Sequence, residues 1–361
     1  MTSALYSNYI IDGVTQDMTP AEMLEEYLLA PQGIPAGAEQ AEQIADETVD
    51  PAPIGSGCDV WRASEYLDSI RGMSGAFPVE YSAQYTKVVI AYALTERLRM
   101  GGTFRLKNII VSLHWHWNGS VLGNMAAFYS SVQAACEYVD GLGIRIESYS
   151  YEEARECGLT VTTAVVLEDE DDNAFSDDKV VCPEGMVADP DSWIVYVPLD
   201  DGDYRLGGSL LSQVLGVGDA VAPEFYSPDY FIDCYEVLRE MVEDRIFLSL
   251  RAVGPGGLLA AVDALAGGNG ARINVSDLMR AQHEEDAVRV LFAEVPGVVF
   301  QISDEDFDYI DAEFTLQEVM FFPLGHPEPG RKGVKVETAE KNNIQNILDA
   351  LIRRRPSEGE D

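Results

Sequence analysis

The chain has 361 residues, 47% of them hydrophobic, which is enough for two ordinary cores. Its net charge of −38, from 62 acidic against 24 basic residues, argues against sequence-independent binding to nucleic acid or to an anionic membrane surface. No run approaches the ~20 apolar residues of a membrane span, and residues 1–5 lack the charged start and apolar block of a signal peptide, so a cytoplasmic protein is expected.

The first thirty or so residues predict one amphipathic helix, with Thr19 as N-cap, Pro20 at the first helical position and Met23, Leu24, Tyr27 and Leu28 as its apolar stripe. Residues 31–57, rich in Ala, Pro, Gly, Glu and Gln, read as a linker, so 1–57 is expected to form an N-terminal helix and arm. A compact region, 58–190, follows. In it, 85–100 predicts a helix ended by Gly101-Gly102, and 106–113 a strand. Residues 124–140 predict a second helix, and 143–146 and 159–167 further strands.

The acidic run at 168–172 could hold Ca²⁺ or Mg²⁺, but it lacks the alternation and glycine of an EF-hand, which favours a solvated loop. A second region, 191–325, opens with a buried strand at 193–197. Helices are predicted at 228–245, 258–265 and 304–312, and strands at 288–292, 298–302 and 319–322. A terminal helix at 342–353 and a polar tail complete the extension 326–361. The mixture predicts an α/β (α+β) fold.

Five scattered cysteines without CxxC spacing read as reduced thiols rather than a disulfide framework or zinc site. The acidic, lysine-poor surface admits three readings: a solvated face without a partner, an adaptation to a salty interior, or mimicry of a nucleic-acid surface. In His114-Trp115-His116-Trp117, strand alternation places both histidines on one side, as two metal ligands or as packing beside the tryptophans. No Ser-His-Asp, Cys-His or GxxxxGK[ST] arrangement is recognisable.

Several stretches, in order, resemble the aminoimidazole ribonucleotide (AIR) synthase superfamily, and specifically the catalytic half of formylglycinamidine ribonucleotide (FGAM) synthase. They are Leu206-Gly207-Gly208-Ser209 running on to Ser212-Gln213-Val214-Leu215-Gly216, Gly256-Gly257-Leu258-Leu259, and Leu291-Phe292-Ala293-Glu294 with the strand that follows. Upstream, Ala93-Leu94-Thr95-Glu96, Val111-Ser112-Leu113-His114-Trp115 and Leu142-Gly143-Ile144 fit the same pattern, so the match covers roughly residues 75–322. The resemblance implies an AIR-synthase-like fold of two subdomains, an N-terminal one that forms a barrel on homodimerisation and a C-terminal α/β one. It also implies ATP and Mg²⁺ as cofactors of an active member, an ATP-dependent C–N ligase. With no glutaminase region after Phe322, ammonia would come from a partner.

Gly207, Gly208, Ser209, Gly256 and Gly257, in the stretches that carry the resemblance, are the candidate cofactor-binding positions. Glu294 stands at the family's strand-entry Glu and is the metal candidate, and His114, which the family does not explain, is the catalytic candidate. The same glycines also read as tight connections, and Glu294 as an ordinary solvated end of an element. Departures from the pattern fall on charge-handling positions. Where the family has a His and then a Ser-Asp pair, this chain has Arg251-Ala252-Val253-Gly254-Pro255, and Pro255 can neither coordinate a metal nor donate a backbone hydrogen bond. The family's Gly-Lys-Asp-Ser loop corresponds to Glu147-Ser148-Tyr149-Ser150-Tyr151, without lysine or aspartate, and His114 stands where the family has Asn. The first expectation is therefore a catalytically degenerate scaffold or interaction module, of the kind a virus or mobile element retains, contacting partners through its acidic surface or N-terminal arm. The second is a divergent ligase, and the third an acidic decoy for basic protein surfaces.

Overall fold

In the computed structural model, which describes residues 4–30, 40–44, 62–99, 105–166, 182–216, 221–225 and 227–338, the chain opens with a hairpin. Strands β1 (Asn8–Ile11) and β2 (Val14–Thr15) turn at Asp12-Gly13, both at positive φ, a two-residue connection that Asp-Gly favours. The predicted first helix is only Pro20–Glu25 (α1). It starts where expected, because Thr19 and Glu22 form a reciprocal capping box: Glu22 N–H donates to Thr19 Oγ1 at 3.3 Å and Thr19 N–H to Glu22 Oε2 at 2.7 Å. It stops early because Tyr27 and Leu29 exchange backbone hydrogen bonds with Ile146, so Leu28 is buried and Tyr27 half-buried along an extended edge. Thr19→Ala is expected to lower stability by about 1 kcal/mol, with Glu22→Ala adding little once the box is broken, as read by urea midpoints of the single and double variants.

Backbone pairing continues through β3 (Gln40–Ile44), parallel to β1. Then come α2 (Ala63–Ile70), α3 (Ser82–Arg99), β4 (Ile109–Trp117), α4 (Asn124–Gly141), β5 (Arg145–Glu153) and β6 (Gly158–Val165). β4 is the centre of a three-stranded sheet, parallel to β5 and antiparallel to β6. Residues 147–151, read from sequence as a loop, thus lie within β5, held in register along β4. The acidic run 168–172 and the terminal helix 342–353 lie outside the described residues.

The second sheet is built from β7 (Trp193–Pro198), β8 (Ser249–Ala252), β9 (Gly270–Asn274), β10 (Gly297–Ile302), β11 (Phe322–Glu328) and β12 (Val334–Glu337), in the order β12-β9-β11-β7-β10-β8. Its helices are α5 (Leu210–Leu215), α6 (Pro228–Glu243), α7 (Gly257–Ala266), α8 (Ser276–Ala281), α9 (Ala287–Phe292) and α10 (Phe307–Leu316). The sheet is covered on both faces. Val195, Val197, Val298 and Phe300 join one core with α3, α4 and α6, whereas Ile194, Tyr196 and Val299 join another with α7 and α9. Strands buried on both sides read as continuous apolar runs, which is why β7 and β10 are plain in the sequence.

Residues 288–292, expected as a strand, form helix α9, because Asp286 caps its N-terminus by accepting from Val288 N–H at 2.9 Å. Every residue of α9 but Arg289 is buried, so no helical period separates an apolar face from a polar one. The strand expected at 319–322 begins instead at Phe322 and runs to Glu328, so part of the expected C-terminal extension completes the sheet through β11 and β12. No described helix is long and apolar enough to cross a membrane. The described cysteines are free, and burial pushes the thiols of Cys136, Cys182 and Cys234 up to about 12, which makes them inert.

Candidate functional site

One face of α3 carries Tyr85, Val88, Val89 and Tyr92 at i, i+3, i+4 and i+7, and this stripe walls a cavity of about 390 Å³. Facing it are His116 at the end of β4 and residues 156–159 leading into β6, with Phe77 and Pro78 at one side. The floor comes from the second sheet's helices: Leu210 and Gln213 of α5, Gly254 and Pro255 before α7, and Glu294 after α9.

Glu294 organises that floor. It is 5% exposed, and its Oε1 accepts two backbone hydrogen bonds, from Leu210 N–H at 2.8 Å and from Gly256 N–H at 2.8 Å. Leu210 begins α5 and Gly256 caps α7, so one carboxylate oxygen joins two helix N-termini, where a negative charge is favoured. Burial nevertheless raises its pKa to about 7, a rise opposed by the two N–H donors and by the Tyr85 side chain. The Tyr85 hydroxyl is buried without a well-formed hydrogen bond of its own. Burial first, and then the charge of Glu294, hold its phenol well above the ordinary tyrosine range.

The structure gathers the predicted glycines, Ser209 and Glu294 in one place and leaves His114 apart. Gly207, Gly208 and Ser209 precede α5, Gly256 and Gly257 stand at the start of α7, and Glu294 sits between them. Ser209 caps α5, its side chain accepting from Ser212 N–H at 3.2 Å. Gly208, at φ +79°, lies against the Tyr85 ring, where an added Cβ would stand 2.5 Å from Cε2. Gly257, at φ +71°, lies against the Phe292–Ala293 backbone. The N–H groups of Leu210 and Gly256, which could have cradled an anion, already hold Glu294.

His114 points to the outer face of the three-stranded sheet, with Nδ1 2.5 Å from Ser150 Oγ and Nε2 3.6 Å from Glu152. Trp115 and Trp117 point inward and are fully buried, donating to Ser131 Oγ at 2.8 Å and to the Asn124 carbonyl at 2.7 Å. Of the two histidines it is His116, not His114, that lines the cavity. Arg251 lies on β8 with its guanidinium 2.9 Å from Glu184, which also pairs with Arg99 at 2.6 Å, so these cations are spent on an ion-pair cluster. Residues 147–151 take no part in the lining. Among the described residues no Lys or Arg lines the cavity, and no group of three His, Cys, Asp or Glu side chains is gathered for a metal. Sequence reading missed Tyr85 and Tyr92 as site residues because their helical spacing is also that of a core stripe.

No family model matches the chain. It is 25% identical over 252 residues to human phosphoribosylformylglycinamidine synthase, a match that covers 66% of this chain and 18% of that protein. It is also 27% identical over 177 residues to the probable membrane antigen 3 of Saimiriine herpesvirus 2, covering 48% of this chain and 13% of the viral protein. The fold superposes on Thermotoga maritima PurL, complexed with FGAR at a TM-score of 0.53 and with ATP at 0.51, at 12% identity in both. Those superpositions cover 73% and 78% of this chain and 42% and 47% of PurL. The chain is similar to FGAM synthase in sequence and in fold. The sequence similarity and the similarity of fold point to the same protein. The chain spans less than a fifth of the length of the curated relatives it matches.

Proposed function

We propose that this chain keeps the FGAM synthase-like fold without its ATP-driven chemistry and acts as a binding module. The observation that carries this reading is the cavity lining, in which the described residues offer no lysine or arginine and a single buried carboxylate already occupied by two backbone N–H groups. Moving a phosphoryl group needs carboxylates to hold Mg²⁺ and cations to neutralise the charge that develops. Glu294, with its pKa raised to about 7 and its Oε1 engaged, is poorly placed to be the first, and Arg251 and Arg99 are engaged away from the cavity. Pro255, standing where the resemblance puts an acidic residue, lines the cavity without a carboxylate.

Titration calorimetry with millimolar Mg-ATP tests this, together with an assay for ammonia-dependent FGAM formation. The expected result is no saturable heat and no turnover above background. Saturable Mg-ATP binding or measurable product would overturn the proposal in favour of a divergent ligase with relocated ligands.

A further inference from the structure

We infer that the cavity between α3 and the start of β6 takes a small organic cation, an arylalkylamine, rather than an anionic metabolite. This names a ligand class for the proposed binding module and rests on that reading only in treating the cavity as free of nucleotide. The volume, about 390 Å³, suits a one-ring ligand with a short side chain. The walls are aromatic and apolar: Phe77, Tyr85 and Tyr92, with Val88, Val89 and Leu159. Rings of this kind attract a cation over their faces and stack on an aryl group.

The buried hydroxyl and the carboxyl groups suit a donor with positive charge. The Tyr85 hydroxyl, in a side chain 4% exposed, makes no well-formed hydrogen bond and has the Glu294 carboxyl beside it. Both backbone donors to Glu294 reach Oε1 and neither reaches Oε2, so an ammonium can bond Oε2 and the Tyr85 oxygen in place of the contact between those two groups. Glu156, exposed at the rim, adds a second carboxylate. An anion would meet two carboxylates with no described Lys or Arg to compensate.

The test is calorimetry on the full chain with phenethylamine and with 3-phenylpropionate, which is similar in size and carries the opposite charge. Saturable heat is expected with the amine alone. Glu156→Gln is expected to weaken it about fivefold and Tyr85→Phe about tenfold, both in folded protein, since Glu156 is exposed and the Tyr85 hydroxyl makes no well-formed hydrogen bond. Val89→Trp, which fills the cavity, should abolish binding. No saturable heat with millimolar phenethylamine, equal binding of the carboxylate, or amine binding indifferent to all three substitutions would each overturn the inference. Failure here with no Mg-ATP binding leaves the loss of ATP chemistry standing, whereas Mg-ATP binding removes that reading first.

Discussion

Glu294→Ala is expected to destabilise the protein by about 2–5 kcal/mol, because it orphans two buried backbone N–H groups, each worth roughly 1–3 kcal/mol when left unpaired. Glu294→Gln should stay folded, since both Leu210 and Gly256 donate to one oxygen, Oε1, and a carboxamide oxygen can accept both. The two variants also separate hydrogen bonding from charge. In the folded chain the carboxyl has a pKa of about 7, against an ordinary value of 4.5, because burial disfavours the ionised form. Between those values the native state binds a proton that the unfolded state does not. Protonation therefore stabilises the fold fully below about pH 4.5, and the contribution is lost as pH rises through about 7. At ~1.4 kcal/mol for each pH unit crossed in that window, the loss is at most about 3 kcal/mol. Urea unfolding of wild type and Glu294→Gln from pH 4.5 to 8 should show the wild type losing ground to the glutamine variant across that window. Parallel curves would mean that the carboxyl is already ionised throughout.

Gly257→Ala is the second large effect, about 2–5 kcal/mol. A Cβ at this position would stand 2.7 Å from the Phe292 carbonyl carbon and 2.8 Å from the Ala293 oxygen, which are backbone atoms that cannot swing aside. The φ of +71° adds the strain of a left-handed conformation. Gly267 at the other end of α7 is the control: it has a φ of +58°, but its nearest described contact to an added Cβ is 3.8 Å away. Gly267→Ala should cost only about 1 kcal/mol. If the two substitutions shift the urea midpoint equally, close packing is not why Gly257 is glycine. Either result bears on the Gly-Gly-Leu stretch, which here brings α7 against the chain entering β10.

Glu294 also marks the limit of what a sequence can say. That residue is visible as a family position, yet its role depends on Leu210 and Gly256, 84 and 38 residues away. Nothing local marks them as partners. His114 and His116 are equivalent in a period-two reading, and only the packing of α3 over the start of β6 sets His116 against the cavity and His114 toward Ser150 and Glu152. In the same way, the alternation of Trp115 and Trp117 with the histidines predicts inward and outward faces correctly but not what each face meets.

What the sequence determined by itself was local or one-faced: the capped start at Thr19, the helices α3, α4 and α6, and the apolar runs of β7 and β10. These follow from hydrogen bonding and burial repeated every two or 3.6 residues, a signal carried by neighbours in the chain. Tertiary structure alone decided that 147–151 would pair as a strand. It also decided that Arg251 and Arg99 would share Glu184, and that one carboxylate would hold two helix ends over an aromatic cavity. Buried charge and close backbone approach depend on atoms far apart in the chain, and their energy exists only once those atoms are packed together.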